Sequence, residues 1–240
     1  SDNDGETLLP KQVVSGLPWK RIGLVGCGIV GVVLVAGGIY GFSVYRRGIA
    51  YMHKMQDEKT EALSLGGKKM EWYRLNDVVM GGRSTSQLAA DKTGLKFWGE
   101  ISIIGGGFAS FTSQDQSLDL PDSVTGIRVK AVTDGQLYKL VIRTADIFEM
   151  STPSYACDFP DSTLEAGKEV TFVLPLSKFI ASRRGQPVQS GTVDASKIRS
   201  VGVNLSYLDM HGKSNPHFGP GDDSKSWPFE FKLVEIAAVQ

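Results

Sequence analysis

Between Ile22 and Tyr45 the chain reads IGLVGCGIVGVVLVAGGIYGFSVY, with no charged residue and no Asn, Gln or His. A helix needs about 20 apolar residues to cross a hydrocarbon core of about 30 Å, and this block is long enough. Lys20 and Arg21 bound it on one side, Arg46 and Arg47 on the other, and Tyr40 and Tyr45 suit the interfacial layer. A cleavable signal peptide has a shorter apolar core and starts nearer the first residue. A buried soluble helix is rarely apolar all round. The sequence therefore predicts one transmembrane helix over residues 21–46. Small residues crowd it: Gly26, Gly28, Gly31, Gly37 and Gly41 let another helix, or a flat cofactor, approach the backbone closely. It holds no carboxylate or imidazole to ligate a metal or carry a proton. Positive charge is slightly heavier after the span (Arg46, Arg47, Lys54, Lys59), which favours placing the C-terminal part on the matrix, stromal or cytosolic side.

Lys+Arg and Asp+Glu both total 26, so the net charge is zero and nothing draws the chain to nucleic acid. The two cysteines, Cys27 and Cys157, lie one in the span and one far beyond it, and are expected to be free thiols. The chain opens on Ser1 rather than Met, as a form does from which a targeting peptide has been removed; a truncated start is left equally open.

After the span, residues 46–63 are rich in helix formers, and Gly66-Gly67 follow as a breaker. Beyond them the period changes to two. Leu95, Phe97 and Gly99 alternate with Lys96, Trp98 and Glu100; Ile127, Val129 and Ala131 alternate with Arg128 and Lys130. Val170, Phe172, Leu174 and Leu176, then Val201, Val203, Leu205 and Tyr207, then Phe229, Phe231 and Leu233, repeat the pattern. Such strands, separated by Gly105-Gly106-Gly107, Asp134-Gly135, Pro160-Asp161 and Gly219-Pro220-Gly221, predict a mainly β, antiparallel sandwich. The expected organisation is a flexible segment 1–20, a transmembrane helix 21–46, a helical juxtamembrane linker 47–69 and a β-sandwich 70–240.

The stretch from Trp72 to Ser86, WYRLNDVVMGGRSTS, resembles the opening motif of the complex I intermediate-associated protein 30 family, a Trp followed by N-D-x-V-M-G-G-x-S-x-S. Phe97-Trp-Gly99-Glu-Ile-Ser, Gly106-Gly107-Phe108-Ala109-Ser110, Asp134-Gly135-Gln-Leu-Tyr138, Tyr155–Phe159, Leu174–Phe179, Arg184-Gly185 and Phe231-x-Leu233-x-x-Ile236 follow in the family's order, so the likeness covers about residues 70–239. It implies a jelly-roll sandwich of the galactose-binding-domain type. It also implies work in building or stabilising large electron-transfer membrane complexes, either respiratory complex I in the mitochondrial inner membrane or a photosystem with its antenna in the thylakoid. The partners it implies are membrane subunits of such a complex and the lipid bilayer. In a plastid, chlorophyll or carotenoid contacts at the glycine-rich helix are the only cofactor expected. The membrane anchor departs from the simplest soluble members and favours a resident subunit.

On physical grounds, Asn76 and Asp77 bond nearby backbone, Gly81 and Gly82 open unusual backbone conformations, and Ser84 and Ser86 close a loop. That describes a structural corner. The sharper reading makes Trp72, Asn76, Asp77, Met80, Gly81, Gly82, Ser84, Ser86, Gly107 and Phe108 a docking surface for a partner. Other chemistry is thin. No glycine run has phosphate-loop spacing. His211 and His217 share a polar loop with Asp209, Asp222 and Asp223 but show no zinc spacing. Neither cysteine sits in a catalytic motif, and Asn204-Leu-Ser206 matches the glycosylation pattern inside an expected strand. Trp72, Trp98 and Trp227 suit packing or, alternatively, stacking on a sugar, which keeps a membrane-anchored carbohydrate-binding module as the rival to a non-enzymatic scaffold.

Overall fold

The computed structural model describes residues 43, 45–145, 151–183, 186–215, 218 and 226–240. The chain divides into two units, Ser1–Ser43 and Val44–Gln240, and the described residues other than Ser43 belong to the second. The expected membrane span falls almost wholly outside the described residues, and so do Gly26, Gly28, Gly31, Gly37 and Gly41. Among the described residues no helix is long and apolar enough to cross a membrane.

A helix, α1, covers residues 45–57. The strands that follow are β1 (Thr60–Leu65), β2 (Lys68–Asn76), β3 (Thr85–Asp91), β4 (Gly94–Ser102), β5 (Phe108–Ser113), β6 (Gly126–Thr133), β7 (Tyr138–Arg143), β8 (Ser154–Asp158), β9 (Glu169–Pro175), β10 (Ile180–Arg183), β11 (Gln186–Pro187), β12 (Ser200–Ser206) and β13 (Ser226–Val239). They form two antiparallel sheets, ordered β1-β2-β5-β12-β7-β8-β10-β11 and β3-β4-β13-β6-β9. The non-sequential order is that of a sandwich with crossing connections, as the alternation predicts.

The helical linker expected over 47–69 is shorter than that. The helix stops at residue 57, and Thr60–Leu65 is already an edge strand, paired with β2 from Thr60↔Trp72 to Leu65↔Lys68. Gly66 and Gly67 both have positive φ (61° and 76°), so they make the two-residue hairpin turn whose twist suits antiparallel strands. Helix propensity in 58–63 loses to tertiary contact: Leu65 is buried, and the Trp72 indole Nε1 donates to the Ala62 carbonyl at 2.6 Å. The sandwich therefore begins at Thr60, ten residues before the expected boundary at 70.

The core lies between the sheets and is carried by rings that touch across it. Phe111 of β5 stands 5.5 Å from Trp72 and 5.0 Å from Phe97 of β4. Tyr138 of β7 stands 4.8 Å from Phe231 of β13, and Phe159 is 4.8 Å from Phe172 of β9. Pairs of this kind add about 0.5–1.5 kcal/mol each beyond the area they bury. In the larger sheet Leu140 and Ile142 face inward with Val201, Val203 and Leu205, which leaves Lys139, Val141, Arg143, Asn204 and Ser206 on the outer face. That outer face carries the cleft described below.

Candidate functional site

The N-D-x-V-M-G-G-R-S-T-S stretch folds as the end of β2, a 3-10 turn over Asp77–Met80 and the entry to β3. Gly81 closes the turn in the left-handed region (φ 91°), its amide donating to the Val78 carbonyl at 3.1 Å. Asp77 is 0% exposed, and its carboxylate is the centre of the corner. Oδ1 accepts from the Ser84 amide at 3.0 Å; Oδ2 accepts from the Ser84 hydroxyl at 2.7 Å, the Gly107 amide at 2.7 Å and the Phe108 amide at 3.3 Å. The Ser84 hydroxyl in turn accepts from the Ser102 amide at 3.0 Å. Beside it, Ser86 Oγ donates to Asn76 Oδ1 at 2.7 Å, and Asn76 Nδ2 donates to the Ser84 carbonyl at 3.4 Å. A buried carboxylate is tolerable because donors surround it.

The glycines give this carboxylate its room. A Cβ on Gly82 would stand 2.2 Å from Asp77 Cγ, and one on Gly106 would stand 2.4 Å from Asp77 Cβ. Two glycine-rich stretches, distant in sequence, thus close on one side chain. Asp134 organises a second corner in the same way. It accepts from the Tyr138 hydroxyl at 3.1 Å, the Gln136 amide at 3.2 Å and the Glu230 amide at 2.8 Å. Burial first, then the Asp134 charge, pushes the Tyr138 phenol well above its ordinary range.

Helix α1 packs on the Asp77 turn. Gly48 is buried so closely that a Cβ would lie 2.5 Å from the Val79 carbonyl oxygen. Met55 is buried, Gln56 Nε2 reaches the Tyr73 hydroxyl at 3.5 Å, and Glu58 pairs with Arg74 at 2.8 Å, beyond the helix end. Burial raises the Tyr51 phenol's affinity for its proton, with Arg74 opposing and Asp77 adding to the effect.

The expected docking residues therefore divide. Trp72, Asn76, Asp77, Ser84, Ser86 and Gly107 are buried, and their side chains or backbone are spent on shaping the corner. What the corner presents is Val78 (40% exposed), Met80 (54%) and Gly81, with Gly82 and Phe108 half-buried. Among the described residues, no three His, Cys, Asp or Glu side chains come together as metal ligands do. His211 is exposed on its loop; His217, Asp222 and Asp223 lie outside the described residues.

A cleft of about 480 Å³ opens on the outer face of the eight-stranded sheet. Its floor is built by Ser110 of β5, Asn204 of β12 and Lys139, Val141 and Arg143 of β7; Ile49 and Met52 of α1, with Leu75, Val79 and Phe108, wall one side. Sequence reasoning missed it. Its signal was the strand YKLVIR, whose outward positions are two cations around a valine. Lys139 Nζ donates to the Leu208 carbonyl at 2.6 Å; burial lowers its ammonium pKa, opposed by Asp158 and Asp209. The tryptophans are elsewhere. Trp72 is core, Trp98 is half-buried with Lys96 Nζ 5.6 Å from its ring, and Trp227 packs on Phe218 at 5.3 Å; none of the three lines the cleft. Cys157 faces the core, where burial pushes its thiol up to about 11.

The family model described as Complex I intermediate-associated protein 30 matches residues 58–233. Its start agrees with β1 as the first strand of the domain. Among curated proteins none matches the chain. Among solved structures, the chain is similar to the family 11 carbohydrate-binding module of the cellulosomal cellulase Lic26A-Cel5E of Clostridium thermocellum. That likeness has a TM-score of 0.42 at 16% identity and covers 69% of this chain and 88% of that one. It is also similar to the glycoside hydrolase domain of Endo-D from Streptococcus pneumoniae R6, with a TM-score of 0.38 at 13% identity, covering 74% of this chain and 26% of that one.

Proposed function

The chain belongs to the complex I intermediate-associated protein 30 family, and from that premise we propose that it is a non-enzymatic scaffold for a large electron-transfer membrane complex. Its sandwich covers a soluble face of that complex, on the matrix side if the complex is respiratory complex I, the reading the family's description favours. Residues 21–46 hold the domain at the bilayer and pack among membrane subunits through Gly26, Gly28, Gly31, Gly37 and Gly41. The observation that carries the reading is the family match together with the use of the family's own motif. Its polar residues are consumed in holding the Asp77 turn, and the turn's apolar residues Val78 and Met80 are left outside. Large exposed apolar side chains held on a rigid turn are what a protein partner buries.

The test is to solubilise membranes containing the tagged full chain gently and identify what co-migrates. Flavin and iron–sulfur subunits are expected. Co-migration with chlorophyll would move the same scaffold role to a photosystem and its antenna. A chain running alone would overturn the scaffold reading. Met80→Glu is expected to weaken the association by about tenfold or more, as loss of a central apolar contact does, with little change in thermal stability.

A further inference from the structure

On the floor of the cleft, two polar groups make no hydrogen bond among the described residues. Arg143 ends β7 on the outer face, half-buried, and among the described residues its guanidinium makes no hydrogen bond or ion pair. Burial lowers its affinity for the proton, with the nearby Tyr73 opposing. Asn204 Oδ1 is buried and has no hydrogen-bond partner among the described residues. A guanidinium offers five donors, and desolvating it without an acceptor is costly. The cleft's other charges are already engaged. Lys139 donates to the Leu208 carbonyl at 2.6 Å. Asp209 accepts from the amides of His211 and Lys213, both at 2.8 Å. Arg183, at the rim, donates to the Ser151 carbonyl at 2.7 Å. The surroundings of Arg143 are otherwise largely apolar, from Val141 and Ala156 on the floor to Leu75, Phe108 and Met52 on the wall. A volume of about 480 Å³ is that of a small-ligand pocket.

We propose that this cleft binds a small amphiphile with an oxyanion head and an apolar body, the head accepting from the Arg143 guanidinium. The inference goes beyond the scaffold reading and does not depend on it. A carboxylate or a phosphate meets the guanidinium equally well, since both accept two parallel N–H bonds.

The full chain, held in phosphatidylcholine nanodiscs, is titrated with 11-(dansylamino)undecanoate, which is then displaced by octanoate, octyl phosphate, octanol or inorganic phosphate. Saturable probe binding above that of empty discs is expected. At least one octyl anion should displace the probe about tenfold better than octanol, as a charge-assisted pair allows, and which one does so identifies the head. Arg143→Met should erase that preference and leave octanol unchanged, while Arg143→Lys keeps part of it. Val141→Trp should weaken every octyl ligand, and Lys96→Met, on the other sheet, none. Equal displacement by octanol and both anions, or a preference that survives Arg143→Met, overturns the proposal. So does the absence of saturable binding, or inorganic phosphate competing as well as octyl phosphate. Thermal unfolding confirms that each variant compared is folded.

Discussion

The Oδ2 of Asp77 lies 2.7 Å from the amide nitrogen of Gly107, thirty residues further along the chain. That one contact joins the turn after β2 to the turn before β5, on neighbouring strands of the same sheet. It ties two glycine-bearing stretches to one side chain: the first supplies the carboxylate, the second the Gly107 and Phe108 amides, and Gly82 and Gly106 leave space from both sides. Removing the carboxylate strands the Ser84, Gly107 and Phe108 amides in a dry corner, while the Ser84 hydroxyl keeps the Ser102 carbonyl as an acceptor. Asp77→Ala is expected to destabilise the domain by about 3–5 kcal/mol, and Ser84→Ala by about 1–2 kcal/mol. Thermal unfolding of the full chain measures both, and a loss for Asp77→Ala no larger than for an exposed Asp such as Asp122 would refute the assignment.

The space beside Asp77 is a separate requirement from its hydrogen bonds. Gly106→Ala places a methyl 2.4 Å from Asp77 Cβ, an atom that cannot swing away while the carboxylate holds its donors. The expected cost is about 2–3 kcal/mol. Gly191→Ala is the matched control, because its Cβ would meet nothing within 4 Å and its φ is ordinary; it should be neutral or slightly stabilising. Equal unfolding temperatures for the two variants would show that the glycines at the corner are there for some other reason.

The five-stranded sheet was legible in the sequence because its outer face meets solvent. Arg128 and Lys130 alternate with Ile127 and Val129, and the period shows. In the eight-stranded sheet the period was read only in β12, through Val201, Val203 and Leu205, because the outer face of the central strands is also covered. In β5, Ala109, Ser110, Phe111, Thr112 and Ser113 are all buried, so the outward Ser110 and Thr112 are small covered hydroxyls with no charged residue to mark a solvent face. The cleft was missed for the same reason: Lys139 and Arg143 read as solvent-facing residues of a short strand. The motif residues around Asp77 were visible as turn formers, but the partners that complete the corner, Gly106 and Gly107, belong to a contact that spacing cannot reveal. The hairpin at Thr60–Leu65 was hidden by helix-forming residues whose conformation is decided by Trp72 and Leu65.

The docking of α1 on the turn makes a prediction of its own. Gly48→Val forces a side chain against the Val79 carbonyl, 2.5 Å from where its Cβ would sit. Helix α1 should lift from the turn while the sandwich stays folded. Trypsin cleavage at Arg47 and Lys54 should then run about tenfold faster or more, since each 1.4 kcal/mol of docking energy lost is roughly a factor of ten in the open population. Circular dichroism in the strand region should hardly change. A domain that unfolds as a whole instead would make α1 part of its core.

Cys157 offers a check on the core by reactivity. Its thiol is raised from an ordinary 9.0 to about 11, first by burial and then by Asp158, with Lys178 opposing. Only the thiolate attacks iodoacetamide, so at pH 8 in the native protein about one thiol in a thousand is reactive. Peptide mapping, which separates Cys157 from Cys27, should find Cys157 unmodified in the native state and fully alkylated in urea. Its native labelling rate should climb about tenfold per pH unit towards pH 11. The linkage has a definite sign. The folded state holds this proton more tightly than the unfolded chain, so the stabilisation is complete below about pH 9 and disappears as the pH rises through about 11. Rapid native alkylation at pH 8 would mean that Cys157 does not face the packed space between Leu140 and the opposite sheet.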